Sequence, residues 1–282
     1  MTTNQKCRLF LSGAALLLAF SPLLLPNART SASGIDAASR DPEAIMDAVA
    51  NRPTAARSVS RVKMTIKDGS GTRERILRSH GKRYSDANKQ LTMLEAPAEM
   101  RNTAFLSVDY KVASQEDEQW LYLPNLHRVT RIPSRGRSEP FLGSDFSYSD
   151  LKRADASNYL LKLLDDAAVV DGEACWHIEA TPKNAHVVEE TGYTKTELWV
   201  SKTRLLPLQV KAWLVRGERT KFIKIAEAQN VGGVWTPNVV RARTLANGKL
   251  ESETTMQTLN IDFEAEQVSD ADFTTRRLEQ GL

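Results

Sequence analysis

Along most of the chain, apolar and polar residues alternate with a period of two. Val62, Met64 and Ile66 interleave with Arg61, Lys63 and Thr65, Trp176, Ile178 and Ala180 with His177 and Glu179, and Leu206, Leu208, Val210, Ala212 and Leu214 extend the pattern. Successive side chains of a strand point to opposite faces, so this alternation predicts antiparallel strands with one buried face. Between such runs stand Asp68-Gly69, Asp171-Gly172, Gly232-Gly233 and Asn247-Gly248, pairs that accept the positive φ of tight hairpins. The runs number roughly eleven. One helix is predicted ahead of them, with Asp41 as N-cap, Pro42 at the first helical position, Ile45, Ala48 and Val49 on one face, and an end before Pro53. A short second helix is expected near 148–153. No internal repeat or long linker divides residues 34–282, which read as a single mainly β domain. A sheet of this length must curl, close or split, because twist accumulates and unpaired edges invite aggregation. A barrel or a sandwich satisfies that demand.

The first 33 residues have a different character. Lys6 and Arg8 precede an apolar run from Leu9 to Leu25, and small residues follow at Ala28, Ser31, Ala32 and Ser33. That order is the one a secretory signal requires. About 17 residues interrupted by Ser12, Gly13 and Pro22 is short for a membrane span. Cys7 follows Gln5-Lys6 and lacks the small-residue box of a lipid attachment site. The expectation is a cleaved signal, with a mature chain starting between Arg29 and Ile35, exported to the periplasm and untethered.

Charge and cysteine content narrow the function classes. Of 38 basic residues against 35 acidic ones, the signal removes two, or three if Arg29 goes with it, so the mature chain is near neutral and has no global pull toward nucleic acid. Only Cys175 remains after cleavage, which excludes an intrachain disulfide. His80, His127, His177 and His186 form no i, i+4 pair and no Cys/His cluster, so no metal site or cofactor is expected. Ser144-Asp145 lacks the Gly-x-Ser-x-Gly elbow of a hydrolase, and the paired acids Asp165-Asp166 and Glu189-Glu190 read as solvated turn residues. Enzymatic activity is not expected.

Two neighbouring segments are unusual for surface loops. His127, Arg128, Arg131, Arg135 and Arg137 fall close together, with Lys152 and Arg153 beyond. Such a cluster suits a lipid headgroup or an acidic partner surface, with Arg128, Arg131, Arg135 and Arg137 as the contacts. Between these groups lies an aromatic block, Phe141, Leu142, Phe146, Tyr148 and Leu151, too apolar to be left in water. It is either a fixed plug or a movable lid.

The whole stretch 120–151, WLYLPNLHRVTRIPSRGRSEPFLGSDFSYSDL, resembles the signature block of the LolA-like family of outer-membrane lipoprotein-sorting proteins. PAEMRNTAFL (97–106), ELWVSKTRLLPLQV (197–210), the Gly232-Gly233-Val234-Trp235 turn and the ending 273–278 follow in family order. Asn102 stands where the family favours Gly, and Leu250 where it usually has Thr. The resemblance implies an open, half-closed antiparallel barrel whose concave face is capped by helices and loops. It implies a periplasmic carrier of a lipid or of lipoprotein acyl chains, monomeric, with the aromatic block as lid. Its transfer partners would be an outer-membrane acceptor or an inner-membrane lipid-exporting transporter of the RND or MMPL type. The residues then expected to line the hollow are Val62, Met64, Ile66, Trp176, Ile178, Leu198, Val200, Leu206, Leu208, Val210, Leu214, Ile223 and Ile225. Alternation alone does not separate a hollow from a filled core. A periplasmic sensor that binds a partner protein or a mislocalised lipid in the same half-barrel is the competing expectation. A transmembrane barrel is disfavoured by the ending Glu279-Gln280-Gly281-Leu282, where an aromatic end would be expected.

Overall fold

The computed structural model describes residues 34–112, 115–152 and 155–280. The expected signal and its cleavage region up to Ser33 lie outside them. Helix α1 (Pro42–Asn51) precedes a first meander, β1 (Arg57–Asp68), β2 (Gly71–Arg83), β3 (Ala87–Ala96), β4 (Ala104–Tyr110), β5 (Glu118–Leu123) and β6 (Arg128–Arg131). Residues 132–152 and 155–158 lie between β6 and β7 (Tyr159–Val170). A second meander follows: β8 (Glu173–Pro182), helix α2 (Ala185–Thr191), β9 (Tyr193–Ser201), β10 (Pro207–Leu214), β11 (Arg219–Val231), β12 (Val234–Ala246) and β13 (Lys249–Asp262). Helix α3 (Thr275–Gln280) ends the described chain.

All thirteen strands form one antiparallel sheet in the order β6-β5-β4-β3-β2-β1-β13-β12-β11-β10-β9-β8-β7. Pairing of β1 with β13 joins the two meanders, while β6 and β7 stay apart at the two edges. The sheet is therefore open, a mainly β half-barrel with few helices. It has thirteen strands where alternation predicts about eleven. Strands such as β13, with Ser252 and Thr254 at inward positions, show little apolar alternation to count.

Turn chemistry works as the sequence suggests at Asp171-Gly172 (φ 50° and 81°) and Asn247-Gly248 (φ 51° and 74°), where both central residues are left-handed. At the β1–β2 turn the left-handed residue is Gly71, not Gly69. Asn102 also takes a left-handed φ of 66°, which accounts for Gly or Asn being suited to that position.

Residues directly opposite in an antiparallel ladder share a face. The register therefore traces one row across eight strands: Leu163, Ile178, Leu198, Val210, Ile223, Ala242, Thr254 and Ile66. This is the inner, concave face. On the outer face of β3–β5 the C-terminal segment packs Ala265, Val268, Phe273 and Leu278 against Leu91, Leu106, Val108 and Tyr122. Because β3 and β4 are covered on both sides, Leu91–Leu94 and Ala104–Val108 are buried without alternation.

Candidate functional site

Two caps cover the inner face. The first is α1, started by the Asp41 carboxylate, which accepts from the backbone N–H groups of Glu43 (3.0 Å) and Ala44 (3.2 Å), with Pro42 behind it. Its buried stripe, Ile45, Met46 and Val49, lies on Trp176, Ile178, Val200 and Leu205. Polar bonds anchor the segment that leads into it. Trp176 Nε1 donates to Ser39 O (2.9 Å), Lys202 Nζ to Ala37 O (2.8 Å) and Arg40 Nε to Asp166 (2.6 Å).

The second cap is the crossing segment between Arg137 and Lys152, here called the strap. Phe141 and Tyr148 pack with Phe105, all three ring centroids 5.5 Å apart, above Met64, Ile66, Leu77 and Leu94. Leu142 and Leu151 pack against the same cluster. Instead of the predicted helix, residues Ser149–Leu151 form a single 3-10 turn.

Buried polar bonds fix this strap to both meanders. The Asp145 carboxylate accepts from the hydroxyls of Thr244 (2.6 Å), Ser252 (2.5 Å) and Thr254 (2.7 Å). Asp150 accepts from Tyr193 Oη (2.7 Å) and Lys221 Nζ (2.9 Å), and Gln119 Nε2 donates to Tyr148 O (2.9 Å). Burial, reinforced by Asp150, pushes the Tyr193 phenol well above its usual range, so it stays a donor.

The strap's two ends meet at one carboxylate. Arg137 Nη1 and Lys152 Nζ each lie 2.7 Å from Glu190 Oε1, and Asp117 takes Arg137 Nη2 on its carbonyl (2.5 Å) and Lys152 on its carboxylate (3.0 Å). Burial alone would raise the Glu190 carboxyl, but Lys152 and then Arg137 outweigh it and hold it below the ordinary glutamate range. Burial would likewise lower Lys152, and Glu190 with Asp117 reverses the sign. Glu190 is thus no solvated turn acid. It sits buried in α2, where sequence reasoning placed a turn.

These contacts separate the predicted site residues into groups. Met64 and Ile66 lie under the strap, and Trp176, Ile178 and Val200 lie under α1. Leu206 and Leu208 form a third, filled cluster with Val170 and Cys175, because a β-bulge between Pro207 and Gln209 breaks the alternation there. Leu198, Val210, Leu214, Ile223 and Ile225 are half-buried, as is Val62, which pairs with Leu77. Arg128, Arg131 and Arg135 are exposed, while Arg137 is taken into the buried clasp. His177 stacks on Trp199 at 4.1 Å and pairs with Glu197 on the polar outer side. The partners of Asp145 and Asp150 are foreshadowed by no local motif, and α2 only by Asn184 and Gly192 at its two ends.

A polar cleft of about 850 Å³ opens between α1 and the clasp. Asp47 and Asn51 of α1, Tyr110, Arg137, Lys152 and Glu190 are among its walls. Among the described residues, no helix is long and apolar enough to cross a membrane.

Comparison with known proteins accords with this architecture. A family model described as that of an uncharacterized protein matches residues 86–280. A domain described as an outer membrane lipoprotein-sorting protein from Vibrio parahaemolyticus is similar at 26% identity and TM-score 0.74, over 84% of this chain and 97% of that one. A DUF1329 family protein from Desulfovibrio piger is similar at 26% identity and TM-score 0.75, over 85% of this chain and 100% of that one. A LolA superfamily protein from Nitrosomonas europaea shares the fold at 17% identity and TM-score 0.63, over 85% of this chain and 100% of that one. No curated protein matches the sequence. With the family model spanning residues 86–280, the chain belongs to that family, and its open half-barrel is similar in fold to the lipoprotein-sorting domain and to the LolA superfamily protein.

Proposed function

We propose that this protein is a periplasmic carrier that shelters lipid or lipoprotein acyl chains on its concave face and releases them to a membrane acceptor or transporter. The observation that carries this reading is the inner row from Leu163 to Ile66, apolar except at Thr254 and continuous across eight strands of an unclosed sheet. An acyl chain laid on that row gains about 0.8 kcal/mol per methylene, so two ordinary chains offer on the order of 20 kcal/mol before ordering costs. Caps that occupy the same apolar wall compete with the cargo and lower its net affinity, which handover requires. The action is sequestration, without covalent chemistry. Exposed Arg128, Arg131 and Arg135 are suited to a phosphate headgroup or an acidic partner at the rim.

The test compares two glutamates. Ile223→Glu places a carboxylate on the half-buried inner row and is expected to leave the fold intact while displacement of a fluorescent fatty acid weakens at least about tenfold. Leu208→Glu buries its charge in the filled Cys175 cluster and is expected to unfold the protein. An Ile223→Glu protein that is folded and binds the probe like the parent would overturn the carrier reading.

A further inference from the structure

We infer that Arg75, on the concave face, anchors the anionic head of an amphiphile, a carboxylate or a phosphate joined to an apolar tail. This rests on the carrier reading and deepens it by assigning the charge of the cargo's head and the side chain that receives it.

The ladder puts Arg75 on the inner face. It stands directly opposite Met64, which stands opposite Met256, which in turn faces Val240, and opposed residues share a face. These four form a second inner row, two residues along from the one that holds Ile66 and Ala242. Met64 is buried in the strap cluster, Met256 packs against that cluster and Val240 is half-buried. The row spans three strand spacings, about 14 Å, the scale of an acyl chain. An apolar strip thus ends on a cation.

That cation lacks a counter-charge. Among the described residues the buried Arg and Lys side chains are Arg75, Arg137 and Lys221. Arg137 has Glu190 at 2.7 Å, and Lys221 has Asp150 at 2.9 Å. Arg75 Nε instead donates to Met100 Sδ at 3.4 Å, and its buried Nη1 has no partner among the described residues. Burial, and then the nearby Arg73, pushes the guanidinium below the ordinary arginine range. A buried lysine sheds its proton under such pressure, whereas an arginine stays charged and needs an anion.

The surroundings admit one. A thioether is a weak acceptor, and an oxyanion on the same guanidinium makes the stronger bond. Met100 is half-buried at the end of a 3-10 turn whose Ala98 and Glu99 are exposed, and its unbranched side chain adapts to a new neighbour at little cost. The planar fork of Arg75 matches the paired oxygens of a carboxylate or phosphate. Arg128, Arg131 and Arg135 at the rim are exposed, and water weakens any pair they make.

Laurate, lauryl phosphate and lauryl alcohol share one tail, and their displacement of an uncharged naphthylamine probe from the mature chain tests this. Both anions are expected to bind the parent at least about tenfold more tightly than the alcohol. Arg75→Met is expected to erase that preference, to keep the alcohol's affinity within about twofold, and to unfold in urea at or above the parent's midpoint, because it removes an unpartnered buried charge. Should that variant fail to fold, Arg75→Lys keeps the charge without the fork and is expected to shrink the preference several-fold. Inorganic phosphate alone is expected to leave the probe bound, and displacement by it that depends on Arg75 would assign the site to a free anion and overturn the inference. Equal affinity of the parent for all three ligands, or a folded Arg75→Met protein that still prefers the anions, would also overturn it and leave the carrier reading standing. Failure of the probe and of all three ligands to bind parent and variant alike would overturn both.

Discussion

The Asp145 carboxylate takes hydrogen bonds from three hydroxyls on β12 and β13, and its own backbone N–H donates to one of them, Thr254 (2.9 Å). Truncation to Ala leaves those hydroxyls without their acceptor in a site that is 6% exposed. Asp145→Ala is expected to lower stability by on the order of 3 kcal/mol, with Asp145→Asn intermediate because it keeps the shape and one acceptor oxygen. Urea unfolding midpoints at constant slope measure the change, and a loss under about 0.5 kcal/mol would show that the strap is not held there. None of this was legible in the sequence, where Asp145 reads only as a neighbour of Ser144. Its partners stand 99 to 109 positions away, and short-range patterns carry no trace of such pairings. Leu208 teaches the complementary lesson. Its parity with Val210 places both on one face only while the strand stays regular, and the bulge at Pro207–Gln209 ends that regularity.

At the scale of elements, α1 was legible because its start is written locally in Asp41-Pro42 and its face in Ile45 and Val49. Helix α2 was not. Its seven residues are too few to show a period, although Asn184 caps it and left-handed Gly192 ends it. That helix supplies Glu190, so the clasp on the strap stayed hidden with it. The clasp has a signature in pH. Glu190 is held below its unfolded value of about 4.3, so the native state keeps a carboxylate where the unfolded chain takes up a proton. Its stabilisation is complete above that unfolded value and is lost as pH falls through the lower folded one. Glu190→Gln is expected to be less stable than the parent by about 3 kcal/mol at pH 7, because Arg137 and Lys152 lose their shared carboxylate. The gap should narrow steadily from pH 5 to pH 3 as the parent's own carboxylate protonates. A gap independent of pH across that range would mean that the clasp contributes through shape alone.

For the molecule as a whole, the open sheet would expose apolar surface on both sides unless each were covered, and on the proposed carrier reading the coverings decide where cargo would lie. Alternation and turns made the antiparallel meander legible, but not which surface covers which. Outer-face positions on β3–β5 lie under the C-terminal segment, and inner-face positions nearby lie under the strap. That leaves the β8–β11 part of the inner row as the place where the α1 cap meets half-buried apolar residues. The C-terminal segment is therefore expected to matter for folding and not for cargo. Phe273 is 6% exposed, meets Tyr84 edge-on at 6.3 Å, and follows a capping box in which Ser269 and Asp272 bond each other's backbone. Beside it, Asp272 reaches His80 at 3.2 Å. Phe273→Ala should cost about 3–5 kcal/mol, the range for emptying a buried aromatic site. Leu259→Ala, at a residue 45% exposed on β13, should be neutral within about 0.5 kcal/mol and serves as the control. Fatty-acid displacement by whatever fraction of Phe273→Ala stays folded should match the parent, because that ring touches the outer face only. Weaker binding by the folded fraction would mean that the two faces are coupled through the sheet, and that cargo and tail respond to each other.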